Sequence, residues 1–272
     1  MTILAGKGAM VWQLRNWQGG DPQAQAEHAR QLGLDWVSLK VIDGQSETWE
    51  SPRFVPAARQ NAALLSDTLA ALRAAGVQIF GWGYSYGGVY RLGLFFPSKT
   101  IAQREGEAAG PVLARHGLPG FQIDAEREYR RGVGRAERAE AYCLGLVSSA
   151  PVEHSLCSYR FPRSSAADFP TSAFAPYMEN WSPQVYWIRD NRPHGGAAQL
   201  EMSVAEYQAL RPLPMTPIGP TYPDRGWRAT PIQLRLFFEK AREIGVCVGV
   251  GIWCLDLATP EQLAALGEFA WS

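Results

Sequence analysis

Short apolar runs alternate with longer stretches of helical periodicity along the whole chain. The short runs are rich in β-branched and aromatic residues, as buried strands are. Each is followed by a segment in which apolar residues recur every three or four positions, which is typical of amphipathic helices. The pattern predicts strands at residues 8–14, 35–41, 77–82, 121–124, 153–159, 184–188, 215–218 and 246–253.

Capping residues predict where several helices begin and end. Asp21 is a predicted N-cap with Pro22 at the first helical position, and Gly33 follows the last turn of that helix. Further helices are predicted at residues 57–75, 101–116, 136–148 and 173–179. Three capping boxes predict the starts of the last three helices: Ser203 with Glu206, Thr230 with Gln233, and Thr259 with Gln262.

Eight strand–helix units in 272 residues predict an α/β fold, a single-domain (β/α)8 TIM barrel spanning residues 1–272. A doubly wound open sheet uses the same alternation. The regular spacing up to the end of the chain favours the closed barrel. In such a barrel, chemistry belongs where the strands end and the following loops begin.

Composition excludes several classes of function. Lys and Arg together number 26, as do Asp and Glu, so no basic field attracts nucleic acid or an anionic membrane. No apolar run approaches the length of a membrane span, and the N-terminus lacks the regions of a signal peptide. We therefore expect a soluble protein, cytoplasmic or phage-encoded and released to the cell wall, with no nucleic-acid partner and no membrane insertion.

Cysteine and histidine spacing predicts no metal site. The four cysteines form no C-x-x-C pair, and the four histidines show no ligand spacing. Buried free thiols are the expected state of the cysteines. No nucleotide-binding motif is complete, so we expect neither a metal nor a cofactor.

The most specific chemical signal is the segment Phe121-Gln-Ile-Asp-Ala-Glu126. Asp124 and Glu126 are two apart on a strand and so share one face. Two carboxylates held close cannot both ionise freely, and one is pushed towards protonation. Cleavage of a glycosidic bond needs such an acid, with a base, nucleophile or internal group opposite it. The alternative is a solvated pair that forms salt bridges with Arg127 or Arg130.

Other predicted strand ends contribute polar and aromatic side chains. Lys40 lies in an otherwise apolar strand and, if it points inward, needs a carboxylate partner such as Asp124. That pairing would keep Asp124 ionised and leave Glu126 to carry the proton; a lysine that snorkels at an edge is the alternative. Asp43 is a second candidate partner for Glu126. The remaining predicted substrate-binding residues are Trp82, Tyr84, Tyr86, Gln184, Tyr186, Trp187 and Trp253, most of them rings able to stack on sugars.

Gly83-Tyr-Ser-Tyr-Gly87 matches the G-x-S-x-G motif of serine hydrolases and follows a predicted strand. In those enzymes the motif turns directly into a helix, whereas residues 88–97 here look like an aromatic loop. A serine esterase that uses Ser85 is one interpretation. A glycine-rich turn carrying sugar-stacking tyrosines is the other.

Four segments in order along the chain resemble family 25 glycoside hydrolases, which are muramidases with a β/α barrel that cut peptidoglycan. The segments are VSLKVIDG, FGWGYSYG, the D-x-E motif and PQVYW. The resemblance implies that Glu126 is the acid/base. It also implies that Asp124 orients or stabilises the substrate, or assists its N-acetyl group.

The chain departs from that family at two strands. The first strand ends in Gln13 or Arg15 instead of an aspartate, and the sixth has no aspartate before Asp190. The chain then either cleaves another glycan with a partner such as Asp43, or is a relative without muramidase activity. The predicted function is a glycosidase acting on peptidoglycan or another polysaccharide. A non-catalytic carbohydrate-binding or structural barrel is the second hypothesis and the serine esterase the third.

Overall fold

Eight parallel strands close into a barrel in the computed structural model, which describes residues 3–47 and 55–271. The first strand, β1 (Gly6–Val11), pairs in parallel with both β2 (Trp36–Asp43) and β11 (Gly249–Trp253). This double pairing closes the sheet. The predicted (β/α)8 TIM barrel is therefore confirmed. In order around the barrel, its strands are β1 (Gly6–Val11), β2 (Trp36–Asp43), β4 (Gln78–Ser85), β7 (Gly120–Ala125), β8 (Glu153–Tyr159), β9 (Asn180–Gln184), β10 (Ile218–Pro220) and β11 (Gly249–Trp253).

Helices surround the barrel, and their caps follow the sequence closely. Asp21 accepts hydrogen bonds from the backbone of Gln23 and Ala24, and both Thr230 and Thr259 form complete capping boxes. The helices are α1 (Pro22–Gln31), α2 (Val55–Ala74), α3 (Lys99–His116), α4 (Arg135–Ser149), α5 (Thr171–Phe174), α6 (Gly195–Leu210), α7 (Pro231–Glu243) and α8 (Pro260–Glu268). None of the helices described here is long and apolar enough to cross a membrane.

Three short strands lie outside the barrel at its carboxyl end. Strand β3 (Ser46–Glu47) pairs antiparallel with the end of β2. Strands β5 (Gly88–Arg91) and β6 (Leu94–Pro97) form a hairpin between β4 and α3. The sequence predicted only an aromatic loop in this place. The hairpin stands beside the strand ends where chemistry is expected.

Large side chains fill the barrel, and glycines make room for them. Trp36 is fully buried in an interior cluster with Met10 and Phe80. A Cβ on Gly8 would lie 2.0 Å from the Trp36 ring, and one on Gly251 would lie 2.6 Å from it. Burial of a ring of this size stabilises the fold by about 2–3 kcal/mol. The four cysteines are free and buried, as predicted.

Three local predictions are wrong. The seventh barrel strand is Ile218–Pro220, so residues 215–217 precede the strand instead of forming it. The sixth barrel strand is Asn180–Gln184, so residues 184–188 follow the strand instead of forming it. Ser203 does not start a helix but is buried inside α6, which begins at Gly195. Gly196 at that helix start packs against Trp187, whose ring would lie 2.7 Å from an added Cβ. This close packing explains Gly196, and a Cβ on the preceding Gly195 would lie 2.5 Å from the Asp190 carboxyl, so the first turn of α6 contains two glycines although glycine disfavours helix.

Candidate active site

A pocket of about 680 Å³ opens at the carboxyl end of the barrel. Its walls come mainly from the ends of β2, β4, β7 and β11 and from the base of the β5–β6 hairpin. It contains five acidic side chains, two basic ones and a set of tryptophan and tyrosine rings. Among the predicted site residues, those that line it are Lys40, Asp43, Trp82, Tyr84, Tyr86, Asp124, Glu126 and Trp253.

Asp124 and Glu126 lie together at the end of β7. Gln184, at the end of β9, donates from one amide nitrogen to both carboxylates, at 3.1 Å to Asp124 Oδ1 and 3.0 Å to Glu126 Oε1. Asp124 is 8% exposed, whereas Glu126 is more accessible. Gln184 was predicted to bind substrate, and the structure places it as the link between the two acids.

The surroundings of this pair favour protonation. Burial, and then the neighbouring Glu126 carboxyl, raise the pKa of Asp124 well above its usual range. Burial also raises the pKa of Glu126, and the Gln184 amide only partly offsets this effect. Raised pKa values at two adjacent carboxyls favour a state in which the pair holds one proton. The pair can therefore act as a proton donor.

Glu128, two residues beyond Glu126, has the opposite character. Its side chain is 1% exposed and accepts hydrogen bonds from Tyr84, Tyr90 and Arg127, at 2.5, 2.7 and 3.0 Å. Burial alone would raise its pKa, but these three donors outweigh burial and lower it. Glu128 is thus a fixed carboxylate beside the pair, a role that its place in the sequence did not reveal.

Lys40 points into the pocket, but it does not pair with Asp124 as predicted. Its ammonium group lies 3.3 Å from Asp43 Oδ1 and 5.1 Å from the centre of the Trp82 ring. Its charge lowers the pKa of Asp124, but burial and Glu126 outweigh it. Lys40 thus pairs with Asp43, and its effect on the pKa of Asp124 has the predicted direction but is smaller than that of burial.

Asp43 is held on both sides, since the Tyr86 hydroxyl also donates to it, at 3.2 Å. These two contacts hold the Asp43 carboxylate in place at the pocket wall. Asp43 is therefore suited to electrostatic support. Proton donation belongs to Asp124 and Glu126.

The alternative salt bridges proposed for the D-x-E motif are also wrong. Arg127 bonds Glu128 at 3.0 Å, and Arg130 bonds Asp168 at 2.7 Å. The two arginines thus neutralise other acids, which leaves Gln184 as the group that bridges the motif.

The aromatic wall consists of rings in mutual contact. Trp82 and Trp253 meet edge to face with centroids 5.0 Å apart, and Tyr84 and Tyr86 lie 4.9 Å apart. Trp82 is nearly buried and donates from its indole nitrogen to the Val11 carbonyl, so only a small part of it faces the pocket. Trp253 is more exposed and offers a larger apolar surface for a sugar ring.

Two residues of the PQVYW segment lie away from the pocket wall. Trp187 is fully buried against Phe237, with ring centroids 5.1 Å apart, so its assignment to substrate binding is wrong. Tyr186 packs edge to face against Tyr222 at 5.6 Å and does not line the pocket. Both residues were expected at the end of a strand over residues 184–188, but the strand ends at Gln184 and they follow it.

Ser85 is not a hydrolase nucleophile. Its side chain is fully buried and donates to Glu105 at 2.9 Å, and a hairpin follows the motif where an esterase has a helix. Glu105, from α3, also accepts from the backbone of Tyr86 and Gly87. Burial raises the pKa of Glu105 to about 8. No sequence motif marked this acid, because its partners lie about 20 residues before it in the chain and two of them are backbone groups.

No group of three or more His, Cys, Asp or Glu in the described residues is placed to hold a metal ion. Asp190, the aspartate nearest to the sixth strand, lies outside the pocket and forms a salt bridge with Arg192 at 2.7 Å.

Comparison with solved structures gives likenesses along almost the whole chain, at low identity. A chitinase from Rhizomucor miehei superposes with a TM-score of 0.65 at 13% identity, covering 96% of this chain and 99% of that one. A GH18 chitinase from Pseudoalteromonas aurantia gives 0.61 at 12%, covering 97% and 99%. The spore cortex-lytic enzyme SleL of Bacillus megaterium gives 0.60 at 11%, covering 98% and 74%.

These likenesses show the fold. The chain folds as glycoside hydrolase barrels do, and at this identity the comparison carries no residue role. No family model matches the sequence, and no curated protein does.

Proposed function

We propose that this protein hydrolyses a glycosidic bond in a polysaccharide built from N-acetylated amino sugars, such as chitin or the glycan strands of peptidoglycan. One observation carries the proposal: two carboxyls with raised pKa values, bridged by one amide, lie at the end of β7 in a pocket lined by aromatic rings. The chitinases and the cortex-lytic enzyme with the same fold support this substrate class.

Glu126 is the proposed general acid. It is the more accessible member of the pair, so a glycosidic oxygen can reach its carboxyl. As the bond between the anomeric carbon and that oxygen breaks, the Glu126 proton passes to the leaving oxygen. The two acids share one proton, so Asp124 is ionised when Glu126 carries the proton.

Asp124 is the proposed partner of the substrate's N-acetyl group. In substrate-assisted glycosidases the N-acetyl group takes the place of a second carboxylate as nucleophile. Its carbonyl oxygen attacks the anomeric carbon, and an ionised Asp124 stabilises the positive charge that develops on the amide. Water then opens the cyclic ion, with the Glu126 carboxylate accepting the water proton. Asp43, which Lys40 and Tyr86 hold in place, lines the same pocket from the end of β2.

The test is glycan cleavage by the wild type and by Glu126→Gln on soluble chitin, peptidoglycan and a polysaccharide without amino sugars. We expect new reducing ends from an amino-sugar polymer with the wild type alone. Cleavage of only the third polymer would contradict the substrate class. Equal activity of Glu126→Gln would contradict the assigned acid.

The two other hypotheses give different results in the same experiment. A carbohydrate-binding module would bind a polymer, and neither protein would release reducing ends. A serine esterase would be labelled by a fluorophosphonate probe, and the buried position of Ser85 predicts no labelling.

A further inference from the structure

The β5–β6 hairpin is attached firmly to the barrel by one of its faces. Tyr90 and Phe95 are paired across its strands, with ring centroids 5.2 Å apart. Tyr90 donates to Glu128, and the Arg138 guanidinium lies 5.7 Å from the centre of the Phe95 ring. Buried Arg138 also donates to the Gly87 carbonyl at the hairpin base. This inner face is therefore fixed in position relative to the pocket.

The opposite face of the hairpin is apolar and exposed. Side chains alternate between the two faces of a strand, so Val89 and Arg91 share this outer face with their cross-strand partners Phe96 and Leu94. Leu94 is 65% and Phe96 47% exposed. We call these four residues the outer strip. Exposed apolar surface of this kind marks a binding site when it is continuous with a groove.

The outer strip begins in the pocket. Gly88, Val89 and Tyr90 line the pocket wall, and the strip runs from Val89 towards the hairpin tip. Four strand residues span about 13 Å. A ligand that fills the pocket and is long enough to leave it on this side therefore meets the strip next.

The hairpin tip also carries an apolar residue at an unfavourable position. Leu92 has a φ of 48° and Gly93 a φ of 80°, a turn in which Asn or Asp normally precedes the glycine. Leu92 is fully exposed as well, so its side chain contributes nothing to the described fold. Leu92 therefore adds to the exposed apolar surface at the hairpin tip.

We propose that the outer strip is a second part of the substrate-binding site, which binds sugar units of the same polysaccharide beyond those held at the catalytic pair. This inference rests on the proposed function. The apolar C–H faces of the sugars would pack on Val89, Leu94 and Phe96, and Arg91 would donate hydrogen bonds to their hydroxyl edges. The strip thus makes the enzyme prefer long chains over short ones.

The test uses the double variant Leu94→Ser/Phe96→Ser. A matched control is Met202→Ser/Ile232→Ser, which removes two apolar side chains of similar exposure, 53% and 59%, from α6 and α7. Both variants change exposed positions. Melting temperatures equal to that of the wild type would establish that both variants are folded. The measurement is kcat/KM on the polymer that the wild type cleaves and on a short oligomer of the same sugar.

We expect the outer-strip variant to lose about ten-fold in kcat/KM on the polymer, mostly through KM, and less than about two-fold on the oligomer. The control should behave as the wild type on both. Equal losses on polymer and oligomer, or no loss on the polymer, would overturn the proposal.

Binding separates failure of this inference from failure of the proposed function. If the wild type cleaves nothing, the outer strip can still be tested by measuring how the wild type and the outer-strip variant bind chitin and peptidoglycan. Weaker binding by the variant supports the strip even without catalysis. Unchanged polymer binding by the variant would overturn the proposal. The proposal would also be overturned if the variant lost binding only to lipid vesicles or to a protein partner.

Discussion

Glu126 and Glu128 carry the same functional group two positions apart, and their surroundings give them opposite properties. Burial raises the pKa of Glu126, and the single amide of Gln184 only partly offsets it. Glu128 is buried too, but two tyrosine hydroxyls and a guanidinium donate to it and lower its pKa. For these two glutamates, the balance between burial and hydrogen-bond donors separates a proton donor from a fixed carboxylate.

The comparison extends to the elements that supply these donors. Glu126 faces the pocket, and Gln184, at the end of β9 two strands away in the barrel, donates to it. Glu128 lies where β7 has ended, under Tyr84 of β4 and Tyr90 of the hairpin. The hairpin therefore has a structural role at its inner face, separate from the role proposed for its outer strip.

The largest expected effect is on catalysis by the two glutamates. Glu126→Gln removes the proton donor, so kcat should fall by about two to four orders of magnitude. Glu128→Gln makes the same chemical change where no proton is transferred, so its kcat should fall by about ten-fold or less. Steady-state kinetics on the polymer identified above measures both. Equal losses would show that Glu128 takes part in the chemistry and that the contrast between the two acids is wrong.

Glu105 shows the limit of this comparison, because it also has three donors, but burial outweighs them and raises its pKa to about 8. Its ordinary value is 4.5, so burial favours the protonated folded form. The stability that Glu105 contributes is present below pH 4.5 and is lost as pH rises through about 8. The full loss corresponds to about 5 kcal/mol.

Glu105→Gln should remove this pH dependence, so that the unfolding free energies of variant and wild type diverge with rising pH. Urea denaturation at a series of pH values measures the difference, and the variant should be the more stable protein at the alkaline end. A constant difference between the two proteins across this range would mean that Glu105 stays ionised in the folded state.

The barrel could be predicted from the sequence because its signals are local. Strand alternation, the Asp21 cap and the two Thr-Pro-x-Gln boxes each depend on neighbours within a few residues. The D-x-E motif was recognisable for the same reason, since two residues on one strand face must meet. Lys40, Asp43 and the β4 aromatics reach the pocket because the ends of parallel strands share one rim.

The remaining features depend on contacts between distant segments. Residues 185–188 resemble a strand in composition, but the strand ends at Gln184, directly after Pro183. Trp187 lies beyond the strand and is buried in the core. The two tyrosine donors to Glu128 and the partners of Glu105 lie many residues away from these acids. Ion-pair choice was equally hidden, because Lys40 could reach either Asp43 or Asp124.

Glu128→Gln should also destabilise the fold at neutral pH. The lowered pKa of Glu128 means that its ionised form stabilises the folded state above its ordinary value and that this contribution is lost as pH falls. Loss of a buried carboxylate that accepts from Tyr84, Tyr90 and Arg127 should cost about 2 kcal/mol. Glu126→Gln should cost less, since the raised pKa of Glu126 shows that its ionised form is disfavoured. Chemical denaturation of both variants near pH 7 gives the comparison, and a smaller loss for Glu128→Gln would contradict it.

The smallest effect is expected at Gln184, and it is a displacement of the pH profile. The Gln184 amide lowers the pKa of both Asp124 and Glu126. Gln184→Leu should therefore raise both values and move both limbs of the kcat/KM profile to higher pH. Gln122→Leu is the matched control, because Gln122 is fully buried two residues before Asp124 and neither polar atom of its amide has a hydrogen-bond partner among the described residues. The control should keep the wild-type limbs and gain stability by losing a buried, unpaired amide. If the control shifts the profile as far as Gln184→Leu does, the shift reflects a change of barrel packing, and the amide bridge does not set the acidity of the pair.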